Sequence, residues 1–343
     1  MASDSTDAAP IPAVWRSNDG ATWEEEPYAL PTPANGVVEA LYQVVATATG
    51  FAGLGSAWYG VAMSEDGTTW SYESLGEGAC PAAIAANRDV LVAVGSLGPC
   101  GIGGVVGTPA IWVRESEGWT LLDTPAAAGW FTAVVATPSG FTAWGPITAS
   151  ADAWVCDIGC RPDPSLEPYA GAPWSSADGR TWRRTNDPAP FAGATIEDIA
   201  ATDQRTAALG WIWTPDGSSA RIALWSSEDG DTWSMVEDLP FEGAPAGPGA
   251  GIGATSDVVA VWARGFGAIS AITTWTSPDL ANWEDDELVA DLRRIVGLGD
   301  MLMAYGTVPR TSSGETRAPC TKDQVISGTC SNAGAAWVYQ VDR

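Results

Sequence analysis

One heptapeptide recurs along the chain: SNDGATW (Ser17–Trp23), SEDGTTW (Ser64–Trp70), SADGRTW (Ser176–Trp182), SEDGDTW (Ser227–Trp233) and the eroded SPDLANW (Ser277–Trp283). A shorter relative, RESEGW, spans Arg114–Trp119. Successive terminal tryptophans lie 47, 49, 63, 51 and 50 residues apart. A period near 50 suits one four-stranded antiparallel unit, and a stack of such units buries a continuous core that no single unit could. Asp-Gly between two strand-like runs is a hairpin signal, because Gly reaches φ > 0 without steric cost. The Asp carboxylate can accept backbone N–H groups within the turn, and Ser and Thr hydroxyls can add to it. Asp19, Asp66, Asp178, Asp229 and Asp279 are therefore read as turn-stabilising residues, with calcium binding as the rival reading.

This pattern resembles the Asp box, or BNR repeat, of sialidase-like β-propellers. Gly follows Asp directly here, one residue earlier than in the family pattern. The resemblance covers nearly the whole chain and implies an all-β fold in which each box joins the third and fourth strands of a blade. On that register, first-and-second-strand hairpins fall at Leu41–Ala57, Ala82–Ser96, Phe131–Gly145, Ile196–Trp213, Gly251–Ala263 and Leu292–Thr307. Third strands open near Val61, Ile111, Trp174, Leu224, Thr274 and Ala336. Six blades are expected, seven being the alternative. The N-terminal pair around Val14–Pro27 and the C-terminal strand Ala335–Val341 are expected to close the ring, which removes open sheet edges. Residues 1–11 read as a disordered lead-in and 12–343 as one propeller domain.

The register accounts for much of an unusual composition, 19 Trp against 7 Tyr and 6 Phe. One Trp ends each repeat, and Trp15, Trp112, Trp174, Trp225, Trp275 and Trp337 recur on third strands. Trp130, Trp154 and Trp213 fall outside the repeat. With Tyr169 they lie in or beside insertions, where aromatic rings can stack on sugars.

Six cysteines fall as Cys80 and Cys100, Cys156 and Cys160, Cys320 and Cys330. Fifteen pairings are possible, and the register favours the sequential one. Cys80 and Cys100 flank the open end of one hairpin, and each of the other pairs lies inside one insertion. Zinc is the rival for Cys156 and Cys160, but no second local pair and no His accompany them. Three disulfides imply an oxidising compartment, hence a secreted or cell-surface protein, with the chain read as mature or trimmed. Abundant Ala, Gly, Pro and Arg with a single Lys point to a GC-rich bacterial source. A secreted or lipoprotein member of the family is expected.

Charge and missing residue types exclude several functions. The formal net charge is −26, which opposes nucleic acid and anionic membrane surfaces. No run of about 18 apolar residues is present to span a bilayer. With no His, a Ser-His-Asp triad, a Cys-His dyad and imidazole metal ligation are ruled out. Lys322 is the sole lysine on which a Schiff base could form.

All Asp boxes map to one rim. The long insertions, Leu97–Ala110, Pro146–Pro173 and Val308–Gly334, map with all six cysteines to the other, the loop face. First strands begin there near Glu39, Trp130, Glu197, Asp291 and Arg293, which could line a polar mouth. A sialidase would bring three arginines, a Tyr-Glu nucleophile pair, an acidic acid/base and an Arg-Ile-Pro motif, and the last does not occur here. The expectation is a non-catalytic extracytoplasmic binding or scaffold propeller, without a cofactor, whose disulfide-stapled loop face holds a protein or glycan. A sialidase-like glycoside hydrolase is the alternative.

Overall fold

The structure is a computed structural model. It describes residues 14–16, 24–26, 41–55, 59–87, 90–98, 106–124, 128–156, 160–162, 166, 170–185, 187–214, 220–241, 250–264, 272–288, 291–298, 301–311 and 330–340. These form β-strands, with two short 3₁₀ turns at Ala151–Ala153 and Ala189–Phe191. No helix among the described residues is long and apolar enough to cross a membrane.

Five four-stranded antiparallel sheets and one three-stranded sheet follow one another in chain order. The first contains Leu41–Thr47, Gly50–Gly55, Gly60–Ser64 and Ser71–Ser74; the second contains Ala79–Asn87, Val90–Leu97, Thr108–Glu115 and Gly118–Leu121. The third contains Ala133–Thr137, Gly140–Trp144, Trp174–Ser176 and Arg183–Arg184; the fourth contains Ala194–Ala201, Thr206–Trp213, Ala220–Ser227 and Ser234–Met235. The fifth contains Ala250–Ala254, Val259–Arg264, Ile272–Ser277 and Glu284–Leu288; the sixth contains Asp291–Leu298, Met301–Thr311 and Cys330–Gln340. Each is a meander, strand pairing with next strand, and the first strand of each sheet lies against the first strand of the next from the first sheet to the sixth. This is the construction of propeller blades around a shared axis.

The expected hairpins and third strands fall within a few residues of these positions. Two differences are instructive. The segment expected as the insertion Val308–Gly334 is strand at both ends, with Thr311 opposite Cys330. Val14–Arg16 pairs with Glu24–Glu26, and among the described residues these two strands form a sheet of their own.

Side chains alternate in direction along a strand, so each sheet has one face toward the sheet before it and one toward the sheet after. Third-strand and repeat tryptophans occupy the backward face, and the second-strand Trp144 and Trp211 face forward to meet them. Trp112 packs with Leu54 and Val61 of the first sheet, and Trp174 with Val92 and Val94 of the second. Trp225 and Trp233 pack with Trp144 of the third, and Trp275 and Trp283 with Leu209 and Trp211 of the fourth.

The repeat turns show why the sequence folds this way locally. Asp66 Oδ1 accepts the N–H groups of Thr68 and Thr69, each at 2.8 Å, and Ser64 Oγ accepts the Gly67 N–H at 2.8 Å. The Trp70 indole then donates to the Gly67 carbonyl at 3.1 Å, fixing the ring over its own turn. Trp182, Trp233 and Trp283 do the same to Gly179, Gly230 and Leu280. Gly67, Gly179 and Gly230 have φ of 77°, 72° and 78°. In the eroded copy Leu280 takes φ 65°, a conformation that costs an L side chain roughly 1–2 kcal/mol. Burial of its side chain among Leu209 and Val261 offsets that strain.

These hydrogen bonds hold all four described carboxyls below the usual range, the largest contributions being from the backbone N–H groups three residues on. Asp229 is lowered to about 2 from 3.8, chiefly by the Thr232 N–H. A depressed carboxyl stabilises the fold above its unfolded pKa, and that stabilisation is lost as pH falls through the folded value. Asp229→Ala is therefore expected to lower the melting temperature by about 2 °C at pH 7, for an exposed site contributing about 1 kcal/mol. Thermal scans should show the difference from the parent shrinking as pH falls from about 4 toward 2.

Candidate functional site: the mouth at the third and fourth sheets

Antiparallel order places the repeat turns and the first-to-second-strand turns on one rim. The second-to-third-strand connections lie on the other, where each innermost strand begins. On that rim the third sheet carries an insertion over 145–173. Its Ile147–Thr148 strand pairs with Ala128–Gly129, just ahead of the innermost strand. Ser150 then caps the 3₁₀ turn by accepting the Asp152 N–H, and Trp154–Cys156 pairs with Cys160–Pro162 in a small hairpin.

This hairpin is drawn to the innermost strand by one aromatic contact. The Trp154 ring lies 4.8 Å from that of Trp130, tilted by 36°. The Trp154 indole donates to Thr148 Oγ1 at 2.7 Å, and that hydroxyl donates to the Ser150 carbonyl at 2.8 Å. Trp154 is thus held in place, while the half-exposed Trp130 has no partner for its indole N–H among the described residues. Two residues on, Thr132 Oγ1 donates to the Ile196 carbonyl at 3.3 Å, joining this segment to the fourth sheet.

The innermost strands share a device there. Their pairing slips by one residue at Tyr42, Ala82, Glu197 and Arg293, a β-bulge in each of four sheets. A bulge re-aims the extra residue, and bulges recur at barrel rims and beside active sites. The residue opposite the position just before each bulge is a glycine: Gly55, Gly95, Gly210 and Gly306. At Gly95 and Gly210 a Cβ would overlap the Cys80 and Thr195 carbonyl oxygens, and at Gly145 of the third sheet it would overlap the Trp130 carbonyl.

Glu197 occupies the bulge of the fourth sheet. Its side chain opens to solvent, yet surrounding protein limits its hydration, and this desolvation pushes the carboxyl above its ordinary range. The nearby Trp211 indole opposes the shift, while the neighbouring Asp198 charge reinforces it. Asp198 itself turns toward backbone, accepting the Ile199 N–H at 3.0 Å and that of Ile252 in the fifth sheet at 3.4 Å. At the end of the second strand Trp213 is 43% exposed, its indole donating to Thr195 Oγ1 at 3.3 Å.

Of the expected site residues, Trp130 and Trp154 are brought together on the third sheet, and Glu197 and Trp213 lie on the fourth, Trp213 bonded to Thr195 two residues before Glu197. Asp291 and Arg293 are placed only as backbone positions of the sixth sheet's first strand. Glu39, Tyr169 and Asp19 lie outside the described residues, as do Cys100, Cys320 and the lead-in 1–11. The bulge glycines, Thr132 and Trp211 were not singled out by the sequence reading. Among the described residues no three His, Cys, Asp or Glu side chains gather as a metal-ligand set.

No protein-family model matches the chain. No curated protein sequence matches it either. Solved structures with a similar course include a protein of unknown function from Dyadobacter fermentans, with 11% identity, TM-score 0.45, and 69% of this chain and 77% of that one covered. A Trypanosoma rangeli sialidase is similar at 12% identity and TM-score 0.47, with 86% and 55% covered, so the likeness spans about half of that longer chain. A Penicillium chrysogenum alpha-L-arabinanase complexed with arabinobiose is similar at 10% identity and TM-score 0.45, with 77% and 88% covered.

Proposed function

We propose that the protein is a non-catalytic, extracytoplasmic binding or scaffold β-propeller that holds a glycan or protein on its loop face. The observation that carries this reading is the 145–173 insertion, whose Trp154 rests on Trp130 at the start of an innermost strand. Chain is spent there on shaping a mouth, where a small hairpin and an ordered aromatic pair frame the start of an innermost strand. Six blades form the ring, and N-terminal and C-terminal strands close it. The outer strand Cys330–Gln340 favours such closure, since it has one edge unpaired among the described residues and long open edges invite aggregation.

Disulfides Cys80–Cys100, Cys156–Cys160 and Cys320–Cys330 belong to the same proposal, together with a secreted or cell-surface setting. The first pair is supported by Cys80 Sγ lying 3.1 Å from the Gly98 carbonyl oxygen, two residues before Cys100. Cys156 and Cys160 are direct cross-strand partners, and an antiparallel pair sits about 4.5–5.5 Å apart at Cα, within the range a disulfide bridges.

A second reading, a sialidase-like glycoside hydrolase, is favoured by Glu197, whose raised carboxyl would suit a general acid. Screening the intact chain against a glycan array, a pull-down from a bacterial cell-surface extract and a panel of glycosides separates the two. Retention of a ligand without turnover supports the binding protein. Turnover that disappears in Glu197→Gln, with nothing retained, overturns it.

A further inference from the structure

We propose that the rim of the fourth sheet, on its face toward the fifth, is a site for an organic cation, in which a basic side chain of a protein partner lies on the Trp213 indole and sets its charged head against Glu197. The inference rests on the loop face being the binding surface and narrows what it binds. Trp211 joins Ile252 and Val261 of the fifth sheet in one apolar cluster, so it points that way. Thr195 is the direct cross-strand partner of Trp211, and Asp198 accepts the Ile252 N–H at 3.4 Å. Trp213, two residues beyond Trp211, projects from the same face at the rim. It is 43% exposed, and its indole donates to the Thr195 hydroxyl at 3.3 Å. Glu197 is the extra residue of the bulge and stands beside the Trp211 indole. An exposed aromatic face and a carboxylate thus share one stretch of rim, set by the pairing of two adjacent strands.

Charge selects the ligand. The three ion pairs among the described residues join arginines to Glu73, Glu115 and Asp231, and none includes Glu197. Protein around Glu197 limits its hydration and pushes its carboxyl above the ordinary range. A cation arriving there relieves a penalty that the fold has already imposed, through a charge-assisted hydrogen bond. The face of an indole attracts the same cation. Thr195 and Glu197 lie about 7 Å apart along the strand, a span that the four-carbon stem of a lysine covers. The net charge of −26 draws a basic partner toward the chain and repels an anionic one. A neutral sugar suits the indole but brings only hydroxyl dipoles to the carboxylate. A free polyamine carries the same chemistry as a lysine side chain, and the experiment separates the two sources.

The test is affinity electrophoresis of the full chain in gels that carry an immobilised probe, with tryptophan fluorescence titration as a second readout. The probes are a lysine-rich peptide, the same peptide with norleucine in place of lysine, spermidine, xylan and β-glucan. Retention by the lysine peptide is expected, and none by its uncharged counterpart. Affinity should fall about tenfold in Glu197→Gln and severalfold in Trp213→Ala, with melting temperatures near the parent's. Should Trp213→Ala unfold, Trp213→Leu keeps the apolar fill, removes the aromatic face and should still weaken binding severalfold. Glu228→Gln removes the same unit of charge from an exposed position in a repeat turn on the opposite rim, and should leave affinity unchanged. Equal effects of Glu197→Gln and Glu228→Gln would show attraction by bulk charge and overturn the site. Binding of spermidine without the peptide would support the cation site and overturn the protein as its source. Retention by xylan or β-glucan, with no cation bound, would overturn the cation class while leaving the loop-face reading intact. Retention by no probe, with nothing captured from the array or the extract, would remove both.

Discussion

Trp225→Ala should cost about 3–5 kcal/mol of stability, the range for emptying a buried indole site. Trp225 is fully buried, its ring 5.6 Å from Phe191, in a cluster with Trp144 and Trp233 that fills the gap between the third and fourth sheets. Phe191 enters that gap from the 3₁₀ turn linking the two sheets, and the Trp225 indole donates to the Pro190 carbonyl of the same turn at 2.8 Å. Alanine would therefore leave a cavity and also an unpaired carbonyl where the linking turn is tied to the fourth sheet. Trp213→Ala, at a ring 43% exposed, should cost within about 1 kcal/mol. Urea unfolding monitored by circular dichroism measures both, through midpoints at a common slope. Equal losses would contradict the division of tryptophans into those that build the sheets' contacts and those that stand exposed on the rim.

That division was partly legible in the sequence. Ser, Asp, Gly, Thr and Trp at fixed offsets specify one turn by local hydrogen bonds alone, so the repeat predicts where third and fourth strands meet. From the resulting register, Trp112, Trp174, Trp225 and Trp275 fall on third strands, where the structure finds them. Contacts between distant segments were not legible. Trp130 and Trp154 are each marked by lying off the repeat, but nothing in their spacing brings them together. Their meeting depends on Ile147–Thr148 pairing with Ala128–Gly129, which folds the insertion inward. Glu197 stands out only as an acidic residue near a strand start. Its raised titration follows from desolvation by the protein around the bulge, which is a tertiary effect. A signal for the bulge was present in the chain, as an apolar or aromatic residue followed by glycine in the later part of second strands: Leu54-Gly55, Val94-Gly95, Leu209-Gly210 and Tyr305-Gly306. Glycine within a strand marks close backbone approach, but which backbone approaches is known only once the partner strand is.

Gly210 couples that fold device to the site, and Gly210→Ala is expected to damage both. A methyl group there would overlap the Thr195 carbonyl oxygen and crowd the Ile196 Cα, both backbone atoms that no rotamer change can move aside. Thr195 and Ile196 lead directly into the Glu197 bulge, Thr195 Oγ1 receives the Trp213 indole, and the Ile196 carbonyl receives Thr132. Relief of the overlap must push the two strands apart at this point, displacing Glu197 relative to Trp211 and Trp213 together. Overpacking of this kind costs typically 1–3 kcal/mol, and backbone displacement puts this site at the upper end, about 3 kcal/mol. Retention of a loop-face ligand should fall further than stability suggests, by at least tenfold, because Thr195, Glu197 and Trp213 shift as a set. Gly230→Ala in the fourth-sheet repeat turn is the comparison. Its φ of 78° makes alanine strained there as well, but on the opposite rim. Comparable destabilisation with binding retained is expected for Gly230→Ala, and loss of both for Gly210→Ala, read by urea unfolding and affinity electrophoresis on the same preparations. Binding unchanged in folded Gly210→Ala would separate the bulge from the site and leave Glu197 as a solvated residue of the channel mouth.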